Sequence, residues 1–450
     1  MSSFSEFGLA APILRALTEE GYTTPTPIQS QAIPKILAGH DLCGIAQTGT
    51  GKTAAFALPI LDRLTAAPAQ KVRRSSRVLV LSPTRELASQ IADSFRAYGR
   101  RLPLTTAVVF GGVPLGAQQR QLAPGVDVLV ATPGRLLDLI DRNALSLSSV
   151  QFLVLDEADR MLDMGFIHAL KRIVKLLPQR RQTLLFSATM PKPIATLAED
   201  YLNDPVKIAV TPVATTVERV DQGVIFVPAA QKRDVLVTLL RNPALERVLV
   251  FTRTKHGADR VVRHLVAAGT EAIAIHGNKS QPQRERALAG FRAGSNRVLV
   301  ATDIAARGID VDGVSHVINF ELPNVPEDYV HRIGRTARAG AEGIAISLCD
   351  DEERAYLRDI EKLTRVSVRV LQGQRTAVAN DRGGNGRVAA PQAPVARGPA
   401  PRVGHQAPPR HPDRGGRGQG GRSSPPTRPQ GQRGASDAEG SLPAFVRRVV

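Results

Sequence analysis

The sequence predicts an α/β chain: two tandem parallel-sheet domains with an active cleft between them, followed by a disordered C-terminal tail. Three observations predict it. Runs of β-branched and aliphatic residues alternate with stretches of helical periodicity. Arg77-Val-Leu-Val-Leu-Ser-Pro-Thr recurs as Arg247-Val-Leu-Val-Phe-Thr-Arg-Thr, and Asp127-Val-Leu-Val-Ala-Thr recurs as Arg297-Val-Leu-Val-Ala-Thr, both 170 residues later. Beyond residue 372 the composition changes to Arg, Gly and Pro. A length of 450 residues fits two or three domains, and 42% apolar residues exclude wholesale disorder.

In chain order, the opening residues show neither a basic nor an apolar stretch of a secretory leader. The apolar Asp41-Leu-Cys-Gly-Ile reads as a buried strand. It enters Ala46-Gln47-Thr48-Gly49-Thr50-Gly51-Lys52-Thr53, with a helical pattern from Ala54. Small residues between a strand and a helix let backbone N–H groups close around phosphate. Lys52 is expected at the β/γ-phosphates and the Thr53 hydroxyl on Mg²⁺; the competing reading is a glycine-rich turn. The runs at 77–81, 127–131, 151–155 and 182–187 read as parallel strands, with a helix over 86–98. The run Leu153-Val-Leu-Asp156-Glu157 ends in two carboxylates. Asp156 is expected to hold Mg²⁺, partly through water, and Glu157 to orient or deprotonate the attacking water; the alternative is a surface acidic turn.

A Pro/Thr-rich connector at 211–219 separates domain 1–210 from domain 220–372. Strand-like runs at 223–227, 247–251, 297–302, 316–320 and 343–347 and a helix over 257–268 build the second domain, which has no phosphate loop. It offers arginine instead: His331-Arg332-Ile-Gly-Arg335-Thr-Ala-Arg338 sets three arginines in eight residues. Beside a phosphate site these read as fingers that stabilise transition-state charge; the alternative is surface salt bridges. Because ligands of parallel sheets sit at the carboxyl ends of strands, the chemistry belongs in the cleft.

The charge is +18, from 59 Lys plus Arg against 41 Asp plus Glu. Of this, +9 lies in residues 373–450, which hold 13 Arg, no Lys and four acids. Such a segment buries too little apolar surface to order itself, and its Arg-Gly-Gly pieces suit RNA; the alternative is a solubilising tail. Cys43 and Cys349 are too few for a disulfide framework and read as small buried hydrophobes of a reducing compartment. No apolar run approaches the roughly 20 residues that span a bilayer. A cytoplasmic protein with a polyanionic partner and no membrane is expected.

Asp156-Glu157-Ala158-Asp159, with the phosphate loop, Ser187-Ala188-Thr189 and the arginine segment, resembles the DEAD-box ATP-dependent RNA helicases over about residues 4–372. Val250-Phe-Thr-Arg-Thr-Lys-His-Gly and Ile275-His-Gly-Asn-Lys-Ser-Gln resemble their bacterial RhlE-like branch. The resemblance implies two RecA-like domains, ATP and Mg²⁺, and RNA as partner. It implies that Gln29, in Gly21-Tyr22-Thr-Thr-Pro-Thr-Pro-Ile-Gln29, reads adenine, supported by Phe4 and Tyr22, and that Asp310 contacts the ribose. It gives catalytic roles to Lys52, Asp156, Glu157, Arg335 and Arg338. Asp159, Ser187, Thr189 and His331 would couple hydrolysis to strand separation. Pro83, Thr84, Arg85 and Glu86, with Gly111, Gly112, Thr132, Pro133, Gly134 and Arg135, match RNA-backbone motifs of the first domain. Arg253, Gly277, Gln281, Arg284 and Thr302 match those of the second. Ala337 departs from the family's usual glycine, which is costly if its φ is positive.

The implied activity is RNA-stimulated ATP hydrolysis that closes the domains on one RNA strand and unwinds duplexes locally, with roles in ribosome assembly or RNA turnover. Two rival readings are an RNA chaperone driven by the Arg/Gly tail and a DNA helicase on the same plan.

Overall fold

The computed structural model of the chain describes residues 3–47, 49–210, 220–306, 311, 313–337 and 343–372. The expected linker 211–219 and tail 373–450 lie outside these residues, as do Thr48, Asp310 and Arg338.

The first sheet contains β1 (Leu42–Ile45), β2 (Ser76–Leu81), β3 (Thr106–Val109), β4 (Val126–Ala131), β5 (Phe152–Leu155), β6 (Gln182–Ser187) and β7 (Val206–Ala209). Its helices are α1 (Ala11–Glu19), α2 (Pro27–Leu37), α3 (Lys52–Ala66), α4 (Arg85–Tyr98), α5 (Leu115–Leu122), α6 (Pro133–Asp141), α7 (Ala158–Asp163), α8 (Ile167–Lys175) and α9 (Lys192–Tyr201). The second sheet contains β8 (Val220–Phe226), β9 (Val248–Thr252), β10 (Ala272–Ile275), β11 (Val298–Thr302), β12 (His316–Asn319), β13 (Gly343–Cys349) and β14 (Arg369–Gln372). Its helices are α10 (Lys232–Leu240), α11 (Lys255–Ala267), α12 (Gln281–Arg292), α13 (Asp303–Ala306), α14 (Pro326–Ile333) and α15 (Arg354–Thr364).

Both sheets are parallel, ordered β3-β4-β2-β5-β6-β1-β7 and β10-β11-β9-β12-β13-β8-β14. Counted from its own first strand, each sheet has the same order. The recurring runs are neighbours within each copy: Val78 pairs with Val128, and Val248 with Val298. The repeat is therefore a repeat of topology.

Alternate residues of the central strands feed separate cores on the two faces, as the two-residue period of a strand demands. Val78 and Val80 join one core of the first sheet, Leu79 and Leu81 the other. In the second sheet Leu249 and Phe251 lie opposite Val248 and Val250. Cys43 and Cys349 are free and buried in these cores, as expected. No helix among the described residues is long and apolar enough to cross a membrane.

Beyond α14, Ala337 has a φ of 55°. Ala337 packs closely on the start of β13: a Cβ on Gly343 would sit 2.6 Å from the Ala337 nitrogen. The Thr336 hydroxyl pins this segment by donating to the Val314 carbonyl at 2.5 Å. A left-handed backbone costs an L-residue roughly 1–2 kcal/mol, partly offset by the greater entropy that glycine loses on folding. Ala337→Gly is therefore expected to raise stability by roughly 1 kcal/mol in urea unfolding; an unchanged midpoint would mean that the backbone relaxes around the methyl at no cost.

Candidate active site

β1 delivers the chain into the phosphate loop, and α3 begins at Lys52, two residues earlier than the apolar pattern suggests. Gly49 and Gly51 have φ of 82° and 89°. A Cβ on Gly51 would collide with the Gln29 amide nitrogen, so only glycine fits. Lys52 is buried, and its Nζ donates to the Ala46 carbonyl at 2.9 Å, curled over the loop. The amide groups at the start of α3 face the same loop, the arrangement that suits phosphate.

Gln29, buried on α2, ties that helix to the loop. Its Oε1 accepts from the Thr26 N–H at 2.9 Å and its Nε2 donates to the Gly51 carbonyl at 3.1 Å. A primary amide has two donors and two lone pairs, so one of each remains beyond these two bonds, as the expected adenine contact requires. Tyr22 lies edge-on to Phe4 and to Tyr98, with ring centroids 6.1 and 5.7 Å apart, and its hydroxyl meets that of Tyr98 at 2.9 Å. Burial first, and the Tyr22 hydroxyl second, push the Tyr98 phenol well up.

β5 ends at Leu155, so Asp156 and Glu157 stand at the carboxyl edge. Asp156 is 2% exposed, and its Oδ1 accepts from the Glu157 N–H at 3.0 Å. Burial raises its pKa to about 6, against the pull of the Lys52 ammonium, and Glu157 adds to the rise. Glu157 holds a left-handed backbone (φ 52°, ψ 53°), a conformation that costs a non-glycine residue and clusters at functional sites. The Thr53 hydroxyl and the Asp156 carboxylate are hard oxygen donors of the kind Mg²⁺ takes.

Asp159 reaches the next strand. Its Oδ2 accepts from both the N–H (3.0 Å) and the hydroxyl (2.9 Å) of Thr189, while the Ser187 hydroxyl donates to the Thr189 carbonyl at 2.7 Å. These predicted coupling residues thus form one connected unit.

From the second sheet, α14 brings His331 and Arg332, with Arg335 in the turn beyond. Gln47, Thr189, Glu327, His331 and Arg335 line one cavity of about 240 Å³. Arg335 is 8% exposed, and its Nε donates to the His331 carbonyl at 3.3 Å. Arg332 corrects the reading of three equivalent fingers. It is 1% exposed, pairs with both Asp303 oxygens at 2.5 and 2.7 Å, donates to Asn319 and the Glu321 carbonyl, and lies over the Phe251 ring. Four of its five N–H donors are engaged in this way, so Arg332 positions α14 instead of standing open to phosphate.

The predicted RNA contacts gather at helix N-termini along the same edges. Thr84, after Pro83, caps α4, and Thr254, after Arg253, caps α11. Thr132 stands at the N-cap of α6, whose first turn holds Pro133, Gly134 and Arg135. Ser280 and Gln283 form a reciprocal cap on α12, where Gln281 and Arg284 stand, and Thr302 ends β11. The Arg85 guanidinium lies over Gly111 and Gly112, so close that a Cβ on Gly112 (φ 81°) would collide with it. Arg135 donates to the Val113 carbonyl and Gln118 Oε1, both at 3.1 Å. Gly134 and Gly277 face open space.

Some of these residues meet across the two sheets. Arg85, half-buried, donates to Gln281 at 3.4 Å, and Arg284 pairs with Glu86 at 2.7 Å, both of the latter buried. Arg160 pairs with Asp328 at 3.4 Å. Sequence reasoning placed Glu86 in an RNA-backbone motif without its Arg284 partner, and it missed Arg160, Asp328 and Glu353. That fully buried carboxylate takes Lys232, Arg253 (3.2 Å) and the Leu322 N–H (3.2 Å) and so fixes Arg253. Glu353 hides in the run Asp350-Asp-Glu-Glu353, which reads as a solvated acidic turn.

Residues 26–197 match the DEAD/DEAH box helicase family, and residues 231–340 match the helicase conserved C-terminal domain. The DEAD-box ATP-dependent RNA helicase 30 of Arabidopsis thaliana is 42% identical over 85% of this chain and 65% of its own length. The ATP-dependent RNA helicase CshA of Listeria monocytogenes is 44% identical over 83% and 71%. The chain thus spans about two thirds of the length of such relatives. The structure of S. cerevisiae Dbp5 bound to RNA and ADP BeF3 superposes with a TM-score of 0.74 at 31% identity, covering 83% of this chain and 96% of that one.

The buried Asp156 yields a test. Its pKa in the folded state, about 6, lies above the ordinary 3.8, so the charged form costs stability above pH 6 and the cost is gone below pH 3.8. Asp156→Asn is expected to stabilise the ligand-free protein by up to about 3 kcal/mol at pH 8, and by less as the pH falls from 6 towards 4. Equal gains in urea unfolding at pH 8 and pH 4.5 would remove the charge as the cause.

Proposed function

The chain belongs to the DEAD/DEAH-box helicases, a family of ATP-hydrolysing RNA helicases, and from that premise we propose an RNA-stimulated ATPase that closes on single-stranded RNA and locally unwinds duplexes without sequence preference. One observation carries the reading. Gln47 of the phosphate loop and Thr189 of the coupling segment line the same cavity as His331 and Arg335 from the second sheet. A site assembled from two sheets is complete only when they close, so nucleotide and RNA each favour the closed state and, by linkage, each other.

In this reading Lys52 and the amides of α3 bind the phosphates of ATP, with Gln29 on the adenine edge and Asp310 on the ribose. Thr53 and Asp156 hold Mg²⁺, which when bound offsets phosphate charge. Glu157 holds or takes the proton of the attacking water, and Arg335 and Arg338 meet the charge that develops on the γ-phosphate. Asp159 carries the change to Ser187 and Thr189. The cap-bearing edges take RNA backbone and 2′-hydroxyls, which makes binding RNA-selective but sequence-tolerant. The strand so held bends out of A-form, and its partner dissociates. The RNA and ADP BeF3 bound to Dbp5 support this reading. The wording of 250–257 and 275–281 supports a place in the bacterial RhlE-like branch, with cytoplasmic work in ribosome assembly or RNA turnover; crosslinking the protein to cellular RNA and sequencing the bound sites tests that work.

Glu157→Gln is expected to keep ATP affinity while lowering RNA-stimulated turnover by roughly 10²-fold or more, the share of a general base. Normal turnover in that variant, or equal stimulation of the parent by DNA of the same sequence, would sink the assignment. Deleting 373–450 should leave RNA-stimulated ATPase intact, weaken RNA binding, and flatten its salt dependence by about 0.7 log units per log unit of salt for each phosphate released. If ATPase vanishes with the tail, the tail-driven chaperone is the better reading.

A further inference from the structure

A second cavity opens on the opposite edge of the first sheet, where strands begin. Its volume is about 370 Å³, and its polar lining includes Lys71, Ser75, Ser76, Arg77, Gln151 and Arg180. It shares no residue with the cavity at the ATP site. β2 and β5 start beside it and end at the RNA-facing and acidic segments, so a six-residue strand, roughly 20 Å, separates the two edges.

Three features give this cavity a chemistry. Lys71, Arg77 and Arg180 are cations, and no carboxylate belongs to the described lining. Lys71 is partly taken by Asp127 at 3.5 Å, which leaves two positive charges uncompensated in the wall. The Ser75 and Ser76 hydroxyls and the Arg77 Nε have no hydrogen-bond partner among the described residues, although these residues are 2%, 1% and 7% exposed. Buried polar groups are nearly always paired, and an unpaired one costs about 1–3 kcal/mol. Ser75 and Ser76 are consecutive at the start of β2, so their side chains leave opposite sides of the strand; a serine hydroxyl turns about one bond to meet an acceptor on its own side. Val72, Val126 and Pro178 supply an apolar wall beside these donors. The volume falls in the range that takes small organic ligands, roughly 300–1,000 Å³.

We propose that this cavity binds a small phosphate monoester. A dianion balances the two spare cations, its tetrahedral oxygens accept from several donors at once, and the organic body occupies the apolar side. A bare carboxylate offers half the charge and fewer acceptors, and an inorganic ion leaves most of the volume unused. The Arg-rich tail has the wrong sign of charge to be the occupant.

The test is calorimetric titration of the full chain, kept in saturating ADP so that the phosphate loop is filled, with ribose 5-phosphate, ribose and inorganic phosphate as probes. Ribose 5-phosphate should bind one site more tightly than either part. Ser76→Ala removes a hydroxyl that the fold does not use, and Arg180→Ala changes an exposed side chain, so both variants should fold. Each should weaken ribose 5-phosphate binding at least tenfold and leave the ATPase rate without probe unchanged. Equal binding of ribose would overturn the anion site, and equal binding of inorganic phosphate would overturn the ester. Undiminished binding by both variants would overturn the location, and a lost ATPase rate would overturn the cavity's separation from the catalytic machinery.

Discussion

A parallel strand cannot be joined to the next by a hairpin; the chain must cross back to the start of the sheet, usually through a helix. That constraint organises this molecule. Every strand of each sheet ends on one edge, so every loop leaving a strand, and every helix N-terminus receiving it, collects there. The phosphate loop leaves β1, Arg85 follows β2, Asp156 and Glu157 follow β5, and Ser187 ends β6. These segments lie far apart in the chain, yet need no special device to meet. The second sheet repeats the order and supplies a second edge of the same kind, with arginines where the first has phosphate-binding amides.

Charge in low dielectric separates scaffold from chemistry along these edges. Arg332 and Glu353 are buried, and both are surrounded by partners. Their burial fixes neighbours: α14 in one case, Arg253 in the other. Burial raises the pKa of Glu353 and of Asp156 alike, but among the described residues Asp156 has one backbone hydrogen bond and no paired cation within salt-bridge distance. A carboxylate held so far from its ordinary state gains from any cation that reaches it. Arg332 and Glu353, with fuller networks, build the frame, while the sparse network of Asp156 fits the metal-holding role proposed for it.

What could be read from the sequence follows the same physics. Central strands were legible because both of their faces are buried, which leaves a continuous apolar run. β3, β7, β10 and β14 were not, because they lie at sheet edges and are short, with part of each exposed. The phosphate loop and the acid pair were legible because their function needs consecutive residues. Glu86–Arg284 and Arg160–Asp328 span 198 and 168 residues, and no local pattern marks them. Arg332 and Arg335 look alike in sequence; only Asp303, Asn319 and Phe251 around the former tell them apart. The possible penalty at Ala337 was visible, but its sign required φ.

The two cysteines have a practical consequence. One lies in each sheet's core, Cys43 at 2% and Cys349 at 1% exposure, and the chain has no third. Burial raises the pKa of both thiols, that of Cys349 to about 12, so neither offers much thiolate at neutral pH. To a maleimide dye the native protein is nearly blank. A cysteine introduced at one exposed point on each half would carry the only fluorophores, and energy transfer between them would report the proposed closure in single molecules, without first stripping the sulfur from either core.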